Sequence, residues 1–543
     1  MSHTASAQAT LEQMIQGFLV LYPTTAERVA AIQAALDAPG GRRFRKQLGA
    51  WTTRVVPVEM LVPEVYAQWR PLVHDAMMFV VSRLGSARLA PKVIEQLELP
   101  ASTPAEQRLL RFIAKVPGLQ KIGQVLARNR ELYQPLRLAL SELENGIHDV
   151  RWTDIRQVIH RELGPRLTEF SVNLESKILA EASVSAVVPF TWRNPQTRRR
   201  ERGVFKVLKP HIPGCFAEDM AILQQLAGEL ARKHRAGGVS LAGFAETLND
   251  VCALLEHEVD FAGEQSTLPE ARRVYGSVPG VRVPSVIEPL CTPMITALTR
   301  EAGTKITDAL SPRDPHRFRV AGRIAEALLG VPALSLRTEA MFHADPHAGN
   351  LLYDKRRSEV VILDWALTES LSREQRRCVL LLVANLILRD RRAVCHAIGC
   401  LRQGSASSRH EKLINTRVTQ FLDSMPPMYS AGPLDAMRLI DEIALEGIRF
   451  PAPLIMFRKA SFTLDGVMKD IAGSEVRLDA VLQRYACEHY IQTAAAVLSL
   501  LSLRNWFDLG WSAATFPLRL IMQYPATPVF EPALQLEAQI NRA

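Results

Sequence analysis

Strand-like alternation is confined to short middle stretches of this chain, with long helical periodicity on both sides, and this limits the fold more than any other feature. From residue 8 to about 165 apolar side chains recur at three and four residues, as in Leu11, Met14, Ile15, Phe18 and Leu19, the spacing of an amphipathic helix. Between 170 and 210 the texture alternates, and the run Val204, Phe205, Lys206, Val207, Leu208 is closed by Pro210 and Pro213. This predicts a β-hairpin with an exposed tip over 194–203. Residues 215–275 predict two helices, 281–287 and 294–303 a further strand pair, and 358–364 a short buried strand. After 371 the pattern is helical again. Strands segregated from helices in this way argue for an α+β fold rather than an alternating doubly wound one.

The 543 residues, 48% hydrophobic and 22% charged, allow two to four structural units at roughly 150 residues each and exclude fibrous or disordered classes. Lys and Arg number 65 against 56 Asp and Glu, a net charge of +9, which favours anionic partners. The one tight basic cluster, Arg198, Arg199, Arg200 and Arg202, has no interleaved aromatics, so nucleic acid is not expected as a partner. The 7 cysteines are an odd number without CxxC spacing, which points away from a disulfide framework or structural zinc and toward a reducing cytoplasm. The opening residues lack a basic stretch before an apolar core, so no secretory signal is expected. Near the C-terminus the uncharged runs 490–503 and 509–518 both fall short of the roughly 20 residues a bilayer span requires. They suit either an interfacial hairpin with Trp506 and Trp511 at headgroup level or two core helices of a C-terminal bundle.

The chemistry concentrates in His343-Ala344-Asp345-Pro346-His347-Ala348-Gly349-Asn350, with Asp364 following at the end of the apolar run 360–363. Phosphoryl transfer needs a carboxylate near the attacking hydroxyl and an oxygen-rich pair that holds Mg²⁺ against the ATP phosphates. The step from Asp345 to Asn350 has the length of the step in the kinase catalytic loop, and Asp364 stands where the metal-binding aspartate of that class stands. An Asp/Asn/Gly-rich turn before a strand would use the same residue types, but not all three at this spacing. Such a site also needs a strand lysine to grip phosphates. Lys206 is a charge inside an apolar alternation, and a buried lysine without a partner is costly. The downstream segment 254–265 offers Glu258, Asp260 and Glu264 as carboxylates.

Two more segments complete a resemblance. Lys121, Gly123 and Gln124 form a K-x-G-Q motif, and Glu258 with Asp260 an E-x-D motif followed by Phe261 and Glu264. With VFKVLKP, HADPHAGN and ILDWA in this order, the chain from about 110 to 370 resembles the UbiB/AarF family of atypical kinases, also called the ADCK or coenzyme Q kinase-like family. The resemblance implies a bilobal protein-kinase-like fold with an N-terminal helical extension and a C-terminal helical region. The expected divisions are an N-terminal helical region (1–105), a KxGQ extension (106–168), an N-lobe with inserted helices (169–300), a helical C-lobe (301–480) and an apolar tail (481–543). It implies Lys206 as the phosphate-gripping lysine paired with Glu264, Asp345 as the catalytic aspartate, and Asn350 and Asp364 as Mg²⁺ ligands. Ala182 and Ser183 would line the nucleotide loop, and the Lys121–Gln124 helix would lie over the site and meet Glu258 and Asp260.

ATP and Mg²⁺ are the implied cofactors, and isoprenoid quinone biosynthesis at a membrane is the implied setting. A small hydrophobic or lipid substrate, an anionic membrane surface at the inner face and biosynthetic protein partners go with it. The chain departs from the family's pattern in three places. The Ala-rich loop has acquired Glu181 and lost its Gly-Gln pair to Ser185 and Ala186, the glycine after the metal aspartate is Ala366, and E-A-x-N reads Glu264, Gln265, Ser266, Thr267. A carboxylate beside a triphosphate weakens anion binding unless it points away or meets the metal. These changes point to a divergent member, with a nucleotide-binding scaffold lacking turnover as the alternative. Small-molecule kinases of the aminoglycoside or choline type have similar catalytic loops but are not expected to carry the K-x-G-Q extension.

Overall fold

A computed structural model describes residues 17–64, 67, 70–100, 102–114, 116–120, 123, 134–141, 150–233, 252, 253, 255–311, 313–404, 407–426, 429–473, 477–488 and 490–523. Lys121 and Gln124 lie outside these residues. The chain forms two compact units, one of residues 1–265 and 286–300, the other of residues 266–285 and 301–543. It is a mixed α and β protein with helical N- and C-terminal regions, as the segregated pattern predicts.

The first unit opens with helices. Leu84, Leu89, Ile94, Leu136, Leu140 and Leu255 are all at most 1% exposed and form one core with the long Ile212–Lys233 helix. After the Trp152–Leu163 helix comes a sheet whose central members are Ser185–Arg193, Arg200–Leu208 and Ile295–Thr299, all antiparallel. The predicted hairpin forms, but its strands extend further than the texture indicated and leave only 194–199 as the tip. One sheet face packs Phe190 against Phe205, with ring centroids 3.8 Å apart, and buries Ile155 and Ile159 of the preceding helix. Gly203 pairs with Phe190, and a Cβ there would fall on the phenylalanine ring.

The predicted strand pair over 281–287 and 294–303 forms only at its inner end, where Val286 bridges Leu298 antiparallel and Ile287 N donates to Ala297 O at 2.8 Å; the start of the first run is a correction. Val281–Arg282 runs parallel to Glu359–Ile362 in the second unit, whereas Ile295–Thr299 completes the sheet of the first. Two apolar runs close in sequence resemble a hairpin, but alternation carries no information about which neighbour a strand finds.

In the second unit two small sheets hold the loops of interest. Leu351–Asp354 and Glu359–Ile362 pair antiparallel, as do Glu339–His343 and Thr368–Ser372. The 344–350 segment therefore leaves one sheet and enters the other, and 363–367 makes the return crossing. Behind them stand the helices Arg373–Ile387, Pro433–Leu445 and Ala452–Ala472, whose buried faces are mostly apolar but include Arg376, Asn385, Asp435, Ser461 and Asp465.

The tail forms two helices, Tyr490–Leu500 and Leu503–Gln523. Among the described residues no helix is long and apolar enough to cross a membrane. The reading of two buried core helices does not hold for the second of them. Trp511 is 72% exposed and Phe507 78%, and Leu503 and Leu518 share that outward stripe. The inward face is polar: Ser512 donates to Asp390 Oδ2 at 2.6 Å, and Arg519 reaches the same oxygen at 3.2 Å. The physical reason is an anchor at Asp390, which caps the Arg391–Leu401 helix and fixes which face turns in.

Candidate functional site

In the first unit, alternation along the Arg200–Leu208 strand puts Phe205 and Val207 into the core and Lys206 on the opposite face. There its ammonium lies 3.0 Å from both carboxylate oxygens of Glu264. The Lys206 side chain is 14% exposed and that of Glu264 1%, so access to water at this pair is on the lysine's side. The ammonium also sits 5.4 Å from the centre of the Phe261 ring, which adds a cation–π contact. Glu264 is held in the first turn of the Phe261–Tyr275 helix, where carboxylates are favoured.

Asp260 accepts a hydrogen bond from Gly263 N at 2.8 Å and so serves as the cap of that helix. Glu258 accepts one from the Ser183 hydroxyl at 3.2 Å, tying the Ala-rich loop to the helix that follows it in the chain. Ala182 N donates to Ser185 O at 2.8 Å, which closes that loop into a tight turn. The intruding Glu181 does not stand unbalanced beside these groups. Its carboxylate pairs with Lys209 Nζ at 3.0 Å, and the two side chains are 1% and 0% exposed. Lys209 was not singled out in the sequence, although a second lysine in VFKVLKP was a signal that another buried acid needed a partner.

In the second unit, backbone bonds lock the 344–350 segment to the 363–367 segment. Leu363 N donates to Asn350 O at 2.8 Å and Ala344 N to Leu367 O at 3.1 Å. Asp345, Asn350 and Asp364 are thereby brought together. Asn350 Nδ2 donates to the Asp345 carbonyl at 3.2 Å, which turns its side-chain oxygen the other way. Asp364 is exposed and has a left-handed backbone, φ 56°. Aspartate tolerates that region better than most residues, and Trp365 beside it is fixed by a hydrogen bond to Ile362 O at 3.1 Å. Lys459, on the Ala452–Ala472 helix, places its ammonium 3.6 Å from Asp345 Oδ1. It lies far downstream in a helical run and carries no local signal, so sequence reasoning missed it.

His343 is the internal brace. Asp345 N donates to its Nδ1 at 3.2 Å, leaving Nε2–H to donate to Leu363 O at 3.0 Å. Trp365 packs on the ring with centroids 5.0 Å apart. Burial lowers the imidazole pKa from its ordinary 6.5 and keeps it neutral. Because the folded pKa lies below the unfolded one, this group's contribution to stability is full above about pH 6.5 and is lost as pH falls toward the lowered value. Chemical denaturation from about pH 8 to about pH 5 should show stability declining below the unfolded pKa, and His343→Gln should lack that component. An equal slope in both proteins would remove His343 from the account.

Residues 142–398 match the ABC1 atypical kinase-like domain family. An uncharacterised protein of Synechocystis, sll1770, is 24% identical over 380 residues, covering 68% of this chain and 62% of its own. The chloroplastic protein Activity of BC1 Complex Kinase 7 of Arabidopsis thaliana is 25% identical over 363 residues, 65% of this chain and 50% of its own. A probable protein kinase UbiB of Haemophilus ducreyi is 26% identical over 247 residues, 44% of each chain. The alignments thus span from 44% to 62% of the length of these relatives.

Proposed function

Taking as premise that this chain belongs to the ABC1 atypical kinase-like, or UbiB, family, we propose that it binds Mg²⁺–ATP and transfers or hydrolyses the γ-phosphoryl group. The carrying observation is that the segments bearing Asp345, Asn350 and Asp364 are joined by backbone bonds, Leu363 N to Asn350 O and Ala344 N to Leu367 O, which sets an amide and two carboxylates close to one another. In this reading Lys206, oriented by its contact with Glu264, contacts phosphate oxygens, and Ser183 with Ala182 forms the backbone of the phosphate loop. Among the described residues no group of three or more His, Cys, Asp or Glu side chains suits a metal. A pair of oxygen donors completed by substrate phosphates is the usual arrangement for Mg²⁺. When bound, Mg²⁺ neutralises charge on the transferring phosphate. Asp345 accepts the proton of the attacking hydroxyl or water, with the Lys459 ammonium 3.6 Å from its Oδ1. Lys121, Gln124, Glu258 and Asp260 are proposed as the elements that restrict entry, which favours a small or lipidic acceptor in isoprenoid, quinone or related biosynthesis.

The pairing of Glu181 with Lys209 favours turnover over a degraded scaffold, because the acid that entered the loop is neutralised within the protein. The outward stripe of Leu503, Phe507, Trp511 and Leu518, next to exposed Arg504 on a chain of net charge +9, supports docking on an anionic membrane surface. Thermal and chemical melts test nucleotide binding. Mg²⁺–ATP at a hundred times its dissociation constant should add about 2.7 kcal/mol of stability, and Asp364→Asn should remove most of it. No shift at saturating nucleotide would overturn the proposal.

A further inference from the structure

The second unit contains a cavity of about 230 Å³ that the phosphoryl-transfer reading does not use. Its wall is made chiefly of Leu, Val, Met and Phe side chains from the Arg373–Ile387, Pro433–Leu445, Ala452–Ala472 and Tyr490–Leu500 helices. Apolar cavities of about 150 Å³ stay dry and take benzene, so this one has room for a larger apolar guest.

Three polar side chains interrupt the wall: Arg376, Ser461 and Thr493. The Ser461 hydroxyl is already spent, donating to Phe457 O at 2.8 Å within its own helix. Thr493 Oγ1 is buried and has no hydrogen-bond partner. Arg376 is 2% exposed. Its Nε donates to Ser372 O, one Nη to Ser335 O, and the other to Arg337 O and Thr338 O. Those bonds use four of the five N–H donors of a guanidinium. Among the described residues no carboxylate lies within ion-pair distance of it, and its burial lowers its pKa. A desolvated cation with a donor left over and an unpartnered hydroxyl therefore border the same apolar space. Buried polar groups of this kind are ordinarily satisfied by something, and a water suits a wall with so few polar partners poorly.

We propose that this cavity is a binding site for an aliphatic monocarboxylate, its chain of roughly eight carbons filling the apolar space and its carboxylate accepting from Arg376 and Thr493. The charge of Arg376 selects an anion, and the hydroxyl of Thr493 adds a second donor. This site does not depend on the nucleotide reading.

Titration calorimetry of the whole chain with sodium octanoate, below its micelle concentration, tests it. Saturable binding of one octanoate per chain is expected, about tenfold tighter than 1-octanol, the factor that corresponds to about 1.4 kcal/mol for the charge-assisted contact. Octylamine should not bind. Thr493→Val keeps the side-chain shape and should weaken octanoate severalfold, while Ala333→Leu, which fills the space, should abolish binding without changing the far-ultraviolet circular dichroism. Asp364→Asn should bind octanoate as wild type does, which separates this site from the nucleotide reading. Absence of saturable octanoate binding to the wild type would overturn the site. Binding that survives Ala333→Leu would overturn its placement, and octanol or octylamine binding as tightly as octanoate would overturn the carboxylate assignment.

Discussion

Asp345→Asn is expected to lower ATP turnover by about a hundredfold to ten-thousandfold while changing the affinity for Mg²⁺–ATP only a few-fold. The asparagine keeps the size of the side chain but cannot accept a proton, and Asp345 contributes to the loop mainly through its backbone. Its N–H meets His343 Nδ1, and its carbonyl accepts from His347 N at 2.8 Å and from Asn350 Nδ2. These contacts survive the substitution, so the loop geometry should survive too. The assay is steady-state phosphate release with and without anionic vesicles, run beside a nucleotide-dependent melt. Turnover retained within threefold in the variant would show that Asp345 is not the base. A chain that binds nucleotide but turns over no faster than its variant would match the scaffold alternative. Stimulation of the wild type by anionic vesicles, weakening with salt, is expected if the outward aromatic stripe meets lipid.

The second large effect concerns stability. Glu181→Gln or Lys209→Met should each destabilise the first unit by about 3–5 kcal/mol, because each removes the 3.0 Å ion-pair contact of a charge that stays buried. The double variant Glu181→Gln with Lys209→Met should recover most of that loss, since a buried ion pair replaced at both ends by groups of similar volume is often nearly neutral. Urea denaturation of the four proteins forms the cycle. Additive effects of the two single changes would mean that the pair is not coupled as its 3.0 Å contact indicates. The double variant also bears on function. If the loop's affinity for nucleotide depends on Glu181 being held away, Lys209→Met alone should weaken Mg²⁺–ATP binding more than the double change does.

Features resting on a few consecutive residues were legible without a structure. The helical spacing at both ends, the hairpin around Lys206 and the short strand before Asp364 follow from side-chain periods of 3.6 and 2, which are local properties of the chain. The 343–350 segment and Asp364 stood out by residue type and spacing, because polar groups proposed to share one ligand need a set separation along the chain. Lys206 was conspicuous as a charge in an apolar strand, and physical cost alone required that an acid meet it. Which of Glu258, Asp260 and Glu264 does so was a separate matter. All three lie within one helical turn or two, and the contact at 3.0 Å with Glu264 depends on where the Phe261–Tyr275 helix begins, which Asp260 decides by capping it.

Composition, charge and motif order are properties of the linear chain, and by themselves they determined the α+β class and the family resemblance and singled out the residues proposed for phosphoryl chemistry. Pairings between distant segments were decided only by tertiary structure. The runs at 281 and 295 look like full strand partners, yet only Val286 bridges Leu298, and Val281–Arg282 joins a different sheet. Glu181 looks like a defect in a phosphate loop yet is half of a buried ion pair. The tail helix turns Ser512 and Arg519 inward and Trp511 outward because Asp390 holds them there. Lys459 and the cavity beside Arg376 leave no local trace at all. The reason is common to all of these: a side chain's energy in a folded protein depends on burial and on which opposite charge or cavity it meets, and those neighbours are supplied by chain segments whose separation along the sequence carries no record of the contact.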